Sequence, residues 1–224
     1  MRESAKPALA APRVGVLALQ GDFACHRASF AALGCDVGRV TLPADLEGLD
    51  ALAMPGGEST TMLRLLVANR LYDPLAEFVR TKPVLATCAG VILLAREADL
   101  LPAPSFGVLD IGVDRNAYGR QIDSFHADLD APVVGGTFHG VFIRAPRIRR
   151  VGAGVDIVAR RTRTPADGAA AGEIVGVRAG RIVGLCFHPE LTSDLRFHRW
   201  FLTEVAGLRL PAVESAVAVR RGAR

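Results

Sequence analysis

The chain has 224 residues, half of them hydrophobic, and a net charge of +4, with no apolar stretch approaching the roughly 18 residues of a membrane span. That length suits one large α/β domain better than two independent ones. The opening residues, "MRESAKPALAAPRVG", lack an apolar core for a secretory signal, so residues 1–13 read as a disordered leader of a cytoplasmic protein. "VGVLALQ" (Val14–Gln20) then reads as a buried strand, and Gly21-Asp22 caps a helix that Gly34 stops. "DVGRVTL" and "LDALAMP" are further strands. Gly56-Gly57-Glu58-Ser59 follows as a glycine corner opening a helix that carries Met62, Leu63, Leu65 and Leu66. A helix from about Pro74 to Arg80 precedes "VLATCAGVILLA", a short strand and a one-sided helix with Cys88 between them. Continuous apolar strands alternating with helices predict a mostly parallel sheet covered on both faces.

After Leu101 the texture changes to strands without helices: "FGVLDIGVDR", "GTFHGVFIRA", "VDIVARR" and the hairpin "EIVGVRAGRIVGLCFHPE", which turns at Ala179-Gly180. "RTRTPADGAAAGE" reads as an exposed loop. "TSDLRFHRWFLTEVAG" closes the fold as a helix capped at Thr192 or Ser193 and stopped by Gly207, and residues 208–224 form a tail.

The charge comes from 25 arginines against two lysines. Arginines cluster at Arg144, Arg147, Arg149 and Arg150, and again at Arg160, Arg161 and Arg163, without the stacking aromatics or motif that nucleic-acid binding would want. They read as a solvated basic face or a protein contact surface. The four cysteines form no C-x-x-C pair, so neither a disulfide framework nor a zinc ribbon is expected. Cys25-His26 and Cys186-x-His188 are poor metal fragments, and no metal is expected.

Cys88 stands at a strand-to-helix corner with small residues two positions either side, Ala86 and Gly90. Such a corner projects a nucleophile from the carboxyl edge of the sheet, where open α/β sheets bind ligands. Amide groups of the following helix favour an anion there and can hold an oxyanion. A buried small hydrophobe is the alternative reading of the same cysteine. Phe187-His188-Pro189-Glu190 favours the nucleophile, because Pro189 pushes His188 into an extended conformation that brings Glu190 to the same side. A carboxylate beside a histidine orients a base.

The glycine corner, cysteine elbow and His-Pro-Glu together resemble the class I glutamine amidotransferases, and within them the glutaminase subunits of pyridoxal 5'-phosphate synthase. The likeness runs from about Val14 to Gly207 and rests on "LALQGD", "PGGESTTM", "TCAG", "DRNAYGRQIDSF", "GVFIRAP" and "FHPELT". It implies a three-layer, flavodoxin-like glutaminase domain over residues 14–207. It also implies that Cys88 attacks the glutamine amide, with His188 as base and Glu190 as orienting acid. Gly57 and Ala89 would supply the oxyanion-hole amides. Gly57, Glu58, Ser59, Arg115, Ile143 and Arg144 would bind L-glutamine. No cofactor is implied. Ammonia would pass to a synthase subunit, in a dodecamer of heterodimers, and the glutaminase would be poorly active until docked there. Two departures stand out: Ala86 replaces the family's usual elbow glycine, and the leader, the Thr164–Glu173 loop and the arginine tail exceed the family core. A stress-response cysteine protein lacks the His-x-Glu pair present here, and a non-catalytic module would not need all three triad positions filled. Cys186 lies inside a strand without an elbow and is the weaker nucleophile.

Overall fold

The computed structural model describes residues 10–115, 124–162 and 172–211. The first half runs β1 (Arg13–Leu17), α1 (Phe23–Ala32), β2 (Asp36–Val40), β3 (Ala51–Met54), α2 (Ser59–Ala68), α3 (Tyr72–Thr81), β4 (Val84–Thr87) and α4 (Ala89–Leu94). Then come β5 (Ala95–Ala98), β6 (Leu109–Asp114), β7 (Ser124–Ala131), β8 (Gly136–Ile143), β9 (Arg147–Val151), β10 (Asp156–Arg161), β11 (Ile174–Ala179), β12 (Ile182–Leu185) and α5 (Arg196–Trp200).

Among the described residues, nine strands form one sheet in the order β2-β1-β3-β4-β12-β11-β10-β7-β8, and β5-β6-β9 form a smaller one. From β2 through β12 every pairing is parallel, and from β12 outward every pairing is antiparallel. Every residue of β3, β4 and β12 is buried, as continuous apolar strands covered on both faces must be. The β1–α1–β2 connection steps towards one edge, whereas β3–α2–α3–β4 steps towards the other. Right-handed crossovers therefore place α1 on one face and α2 with α3 on the opposite face. Phe30 of α1 meets the rings of His198 and Phe201, while α2 packs on α4, and these contacts complete the two outer layers. The three-layer α/β class expected from the sequence is the one observed. Among the described residues, no helix is long and apolar enough to cross a membrane.

Three strands escaped the sequence reading: β5, β7 and β9. The closing helix also differs from expectation. Its N-cap residue is Leu195, not Thr192 or Ser193, and its last turn widens into a π-helix over Phe201–Val205. The polar residues that looked like caps are used earlier. Thr192 Oγ1 accepts from the Asp194 amide at 3.2 Å and Asp194 Oδ1 from the Arg196 amide at 3.0 Å, which fixes a turn ahead of the helix. The arginines of β9 are partly exposed, and each is ion-paired. Arg149 pairs with Glu97 and Asp114, Arg150 with Glu97 and Asp110, and Arg147 with Glu173.

Arg13 lies inside β1, and the Pro12 carbonyl accepts from the Asp36 amide, so the ordered chain reaches back before Val14. Residues 1–9 of the expected leader, most of the Thr164–Glu173 loop, Gly119-Arg120-Gln121 and residues 212–224 lie outside the described residues. Leu208 and Leu210 pack against the core.

Candidate active site

Four segments leave the carboxyl ends of parallel strands and meet at one cavity: residues 20–22 after β1, 56–59 after β3, Cys88 after β4 and His188 after β12. An open α/β sheet binds ligands at this edge, next to the point where its strand order reverses. Here the reversal falls between β1 and β3. The cavity has a volume of about 370 Å³, and Ile92, Arg115, Ile143 and Arg144 line its remaining walls.

Cys88 adopts φ 47° and ψ −106°, a conformation sparsely populated by residues with a side chain. Strain of this kind persists only where neighbours over-determine it, and here they do. The Cys88 amide donates to the Leu185 carbonyl of β12, while its own carbonyl accepts from Val91. Gly90 faces the Met54 carbonyl oxygen so closely that a Cβ would run into it. Ala86, by contrast, sits within the sheet in register with Met54 and Gly184, so its methyl is accommodated. Cys88 is 5% exposed, and Sγ lies 3.7 Å from the Ile143 carbonyl oxygen. Ala89 begins α4, so its amide has no acceptor within the helix and is free for a ligand.

The parallel register of β12 with β4 carries Cys186 and Phe187 alongside Cys88 and brings His188 into the same cavity. Glu190 reaches His188 by a route other than the extended one expected. Residues Pro189–Leu191 form a 3-10 turn, which folds the carboxylate back so that Oε1 lies 2.7 Å from His188 Nδ1. His188 Nε2 is buried and has no hydrogen-bond partner among the described residues. Burial disfavours charge on this ring. The Cys88 side chain and the Glu190 carboxylate favour it more, and together they push the His188 pKa up to about 10. Burial likewise opposes charge on Glu190, but His26 and His188 hold its carboxyl well below the usual range. The geometry is that of a buried base oriented by a carboxylate, with its free nitrogen open on the cavity side.

The glycine corner is fixed from three sides. The Gly56 amide donates to Thr87 Oγ1 at 3.1 Å, and the Glu58 amide donates to Gln20 Oε1 at 3.0 Å. The third tie is Glu58, which caps α2 by accepting from the Thr60 and Thr61 amides and also lies 3.5 Å from Arg115 Nη2. Burial acts against its charge, yet the Thr61 hydroxyl and these amides lower its pKa to about 2. Arg115 is further held by Thr60 Oγ1 and the Leu100 carbonyl. Arg144 has φ 42° and an exposed side chain that pairs with no carboxylate among the described residues.

The structure thus brings Cys88, His188, Gly57, Glu58, Ser59, Arg115, Ile143 and Arg144 to one cavity, with Glu190 and Ala89 directly behind. The sequence reading gave no part in the site to Gln20, Gly21, Asp22 or Ile92, which also line it. "LALQGD" was visible as a motif, yet nothing in it foretells that Gln20 would clamp the Glu58 amide. The other three cysteines have raised pKa values. Burial is the leading cause in each, raising Cys25, taking Cys35 to about 11 and Cys186 well beyond the ordinary range. Cys88 is the cysteine that lines the cavity, so a glutamine-mimicking electrophile is expected to label it, and free glutamine to protect it. Peptide mapping that places the label mainly on Cys186 would contradict this.

Residues 16–207 match the model of the SNO glutamine amidotransferase family. The pyridoxal 5'-phosphate synthase subunit PdxT of Deinococcus radiodurans is 51% identical over 195 residues, spanning 84% of this chain and 95% of the relative. The protein of the same name from Pelotomaculum thermopropionicum is 49% identical over 192 residues, spanning 85% and 93%. A solved structure described as a glutamine amidotransferase superposes with a TM-score of 0.76 at 45% identity, covering 87% of this chain and 99% of its own. The chain belongs to the SNO glutamine amidotransferase family.

Proposed function

We propose that the chain hydrolyses L-glutamine to L-glutamate and ammonia on Cys88 and delivers the ammonia to a pyridoxal 5'-phosphate synthase partner. One observation carries this reading: a strained elbow cysteine shares a cavity with a buried histidine whose other nitrogen is 2.7 Å from a buried carboxylate. Family membership and the relatives' names support the substrate and the pathway.

In the proposed reaction the Cys88 thiolate attacks the side-chain amide carbon of glutamine. The amides of Gly57 and Ala89 receive the developing oxyanion, a role worth about 10²- to 10³-fold in rate per donor. His188 protonates the departing nitrogen, ammonia leaves, and a γ-glutamyl thioester remains on Cys88. His188 then takes a proton from water, whose oxygen attacks the thioester and releases glutamate and the thiolate. Glu190 keeps Nδ1 protonated so that Nε2 faces the chemistry. Arg144 and Arg115 provide positive charge for the substrate carboxylate. The finer assembly, a dodecamer of heterodimers in the cytoplasm, belongs to the same proposal.

Glycine peptides flip at little steric cost, so Gly57 is suited to a corner that a docked partner sets in its competent orientation. The experiment is to follow glutamate release from glutamine by the isolated chain and by the chain with its cognate synthase subunit. Turnover rising about 10²- to 10³-fold on docking, the worth of one oxyanion donor, is the expected result. Equal rates in the two states would remove the gating, and no glutamate in either state would remove the function.

A further inference from the structure

Outside the cavity, the most unusual polar cluster in the described molecule is a file of buried imidazoles behind Glu190. His26 and His198 are both fully buried, on α1 and α5, which come together on one face of the sheet. His26 Nδ1 lies 3.1 Å from His198 Nε2. On its other side His26 Nε2 is 3.1 Å from Thr87 Oγ1 and 3.3 Å from Glu190 Oε2. Thr87 Oγ1 also accepts the Gly56 amide.

The proton positions follow from what each atom can do. A carboxylate oxygen only accepts, so the His26 nitrogen facing Glu190 carries the hydrogen. His26 Nδ1 is then an acceptor and takes the Nε2 hydrogen of His198. That leaves a lone pair on His198 Nδ1, and this atom is buried with no hydrogen-bond partner among the described residues. Burial first, and the neighbouring His26 next, push the His198 pKa down to about 3, so its ring is neutral. The triad acid is therefore hydrogen-bonded on one oxygen, Oε1, by His188, while Oε2 has no hydrogen bond among the described residues and faces His26 Nε2 across an ion-pair contact of 3.3 Å.

We infer that His26 is a positioning residue for glutamine hydrolysis: it fixes the second oxygen of Glu190 and, through Thr87, ties that carboxylate to the glycine corner. This rests on the glutaminase reading above. The glycine corner and the acid lie on segments more than 130 residues apart, and His26 and Thr87 are the side chains that join them. His26 touches no substrate; it acts through Glu190 and the Gly56 peptide. The ionisable groups around Glu190 are His188 on its own segment, Cys25 and His26 on α1, and, one step further, Cys88 and His198. Of these, His188 and His26 offset the desolvation of the carboxylate.

Two polar variants separate positioning from mere packing. His26→Gln places an amide N–H near the position of Nε2 and keeps a donor for Glu190. His26→Asn reaches only as far as Nδ1, so it can still meet His198 but leaves Oε2 bare. Both are compared with wild type as full chains bound to the synthase partner, with kcat, KM and the pH dependence of kcat/KM measured. For His26→Asn, kcat is expected to fall roughly 10- to 100-fold, the scale of leaving a buried charged group without its partner, with KM little changed. The acidic limb of its pH profile moves to higher pH, because an uncompensated buried carboxyl takes up a proton more readily. His26→Gln keeps the wild-type limb and most of kcat. Equal losses in the two variants with an unmoved limb, or two wild-type profiles, would overturn the proposal. Wild type without glutaminase activity would instead overturn the function on which it rests.

Discussion

Cys88→Ala and His188→Asn are each expected to lower glutamine turnover by on the order of 10³-fold or more while leaving the fold intact. The size follows from the chemistry. Without Sγ no thioester can form, and without an imidazole nothing protonates the departing nitrogen. Residual rate would come only from the oxyanion amides and substrate positioning. Both side chains sit at the ends of buried strands whose ladder hydrogen bonds use only backbone groups, so neither change removes a sheet contact. Glu190→Gln should retain more activity than either, since it orients the base without reacting. The measurement is steady-state glutamate release with the partner present, alongside a thermal melt. A Cys88→Ala protein retaining a tenth of wild-type turnover would rule out the nucleophile assignment.

Gly56→Ala is expected to cost about 10²-fold in kcat, a loss out of proportion to one methyl group. A Cβ at this position would run into His188 Cε1 and lie 3.2 Å from the Cys88 Cβ. The ring cannot retreat without giving up its 2.7 Å contact with Glu190, and the corner cannot retreat without losing the bond from Gly56 to Thr87. Overpacking in a close-packed interior is relieved by displacement, and here the groups displaced are the nucleophile and its base. Turnover and the melting curve of the variant provide the check. A kcat within threefold of wild type would mean that the corner yields more easily than these bonds imply.

The parallel half of the fold was legible because physics there is local. β1, β3 and β4 are short apolar runs ended by glycine or a small corner, and the same corners carry the chemistry. The corner before α2 was legible as a helix start, but its cap was not: the Glu58 carboxylate takes the Thr60 and Thr61 amides. The antiparallel half was less legible. In β7 the apolar residues Phe125, Ala127, Leu129 and Ala131 alternate with polar ones, but the strand is half exposed and resembles a polar loop. In β9 only Ile148 and Val151 interrupt the arginines. What makes it a strand is the set of acids on β5 and β6, brought near only by the fold. The buried histidines were hidden for the same reason. His26 looks like any residue of an amphipathic helix until Glu190, more than 160 positions later, is placed beside it.

The central claim is that glutamine passes through a covalent thioester on Cys88. The direct measurement is rapid acid quench of the partner-bound enzyme during turnover, followed by mass spectrometry of its cysteine peptides. The account predicts that the peptide carrying Cys88 gains the mass of glutamine less ammonia. That adduct should accumulate further in Glu190→Gln if hydrolysis of the thioester is slowed more than its formation, and it should be absent from Cys88→Ala. An adduct on Cys186, or glutamate formed at the wild-type rate by Cys88→Ala, would contradict the account.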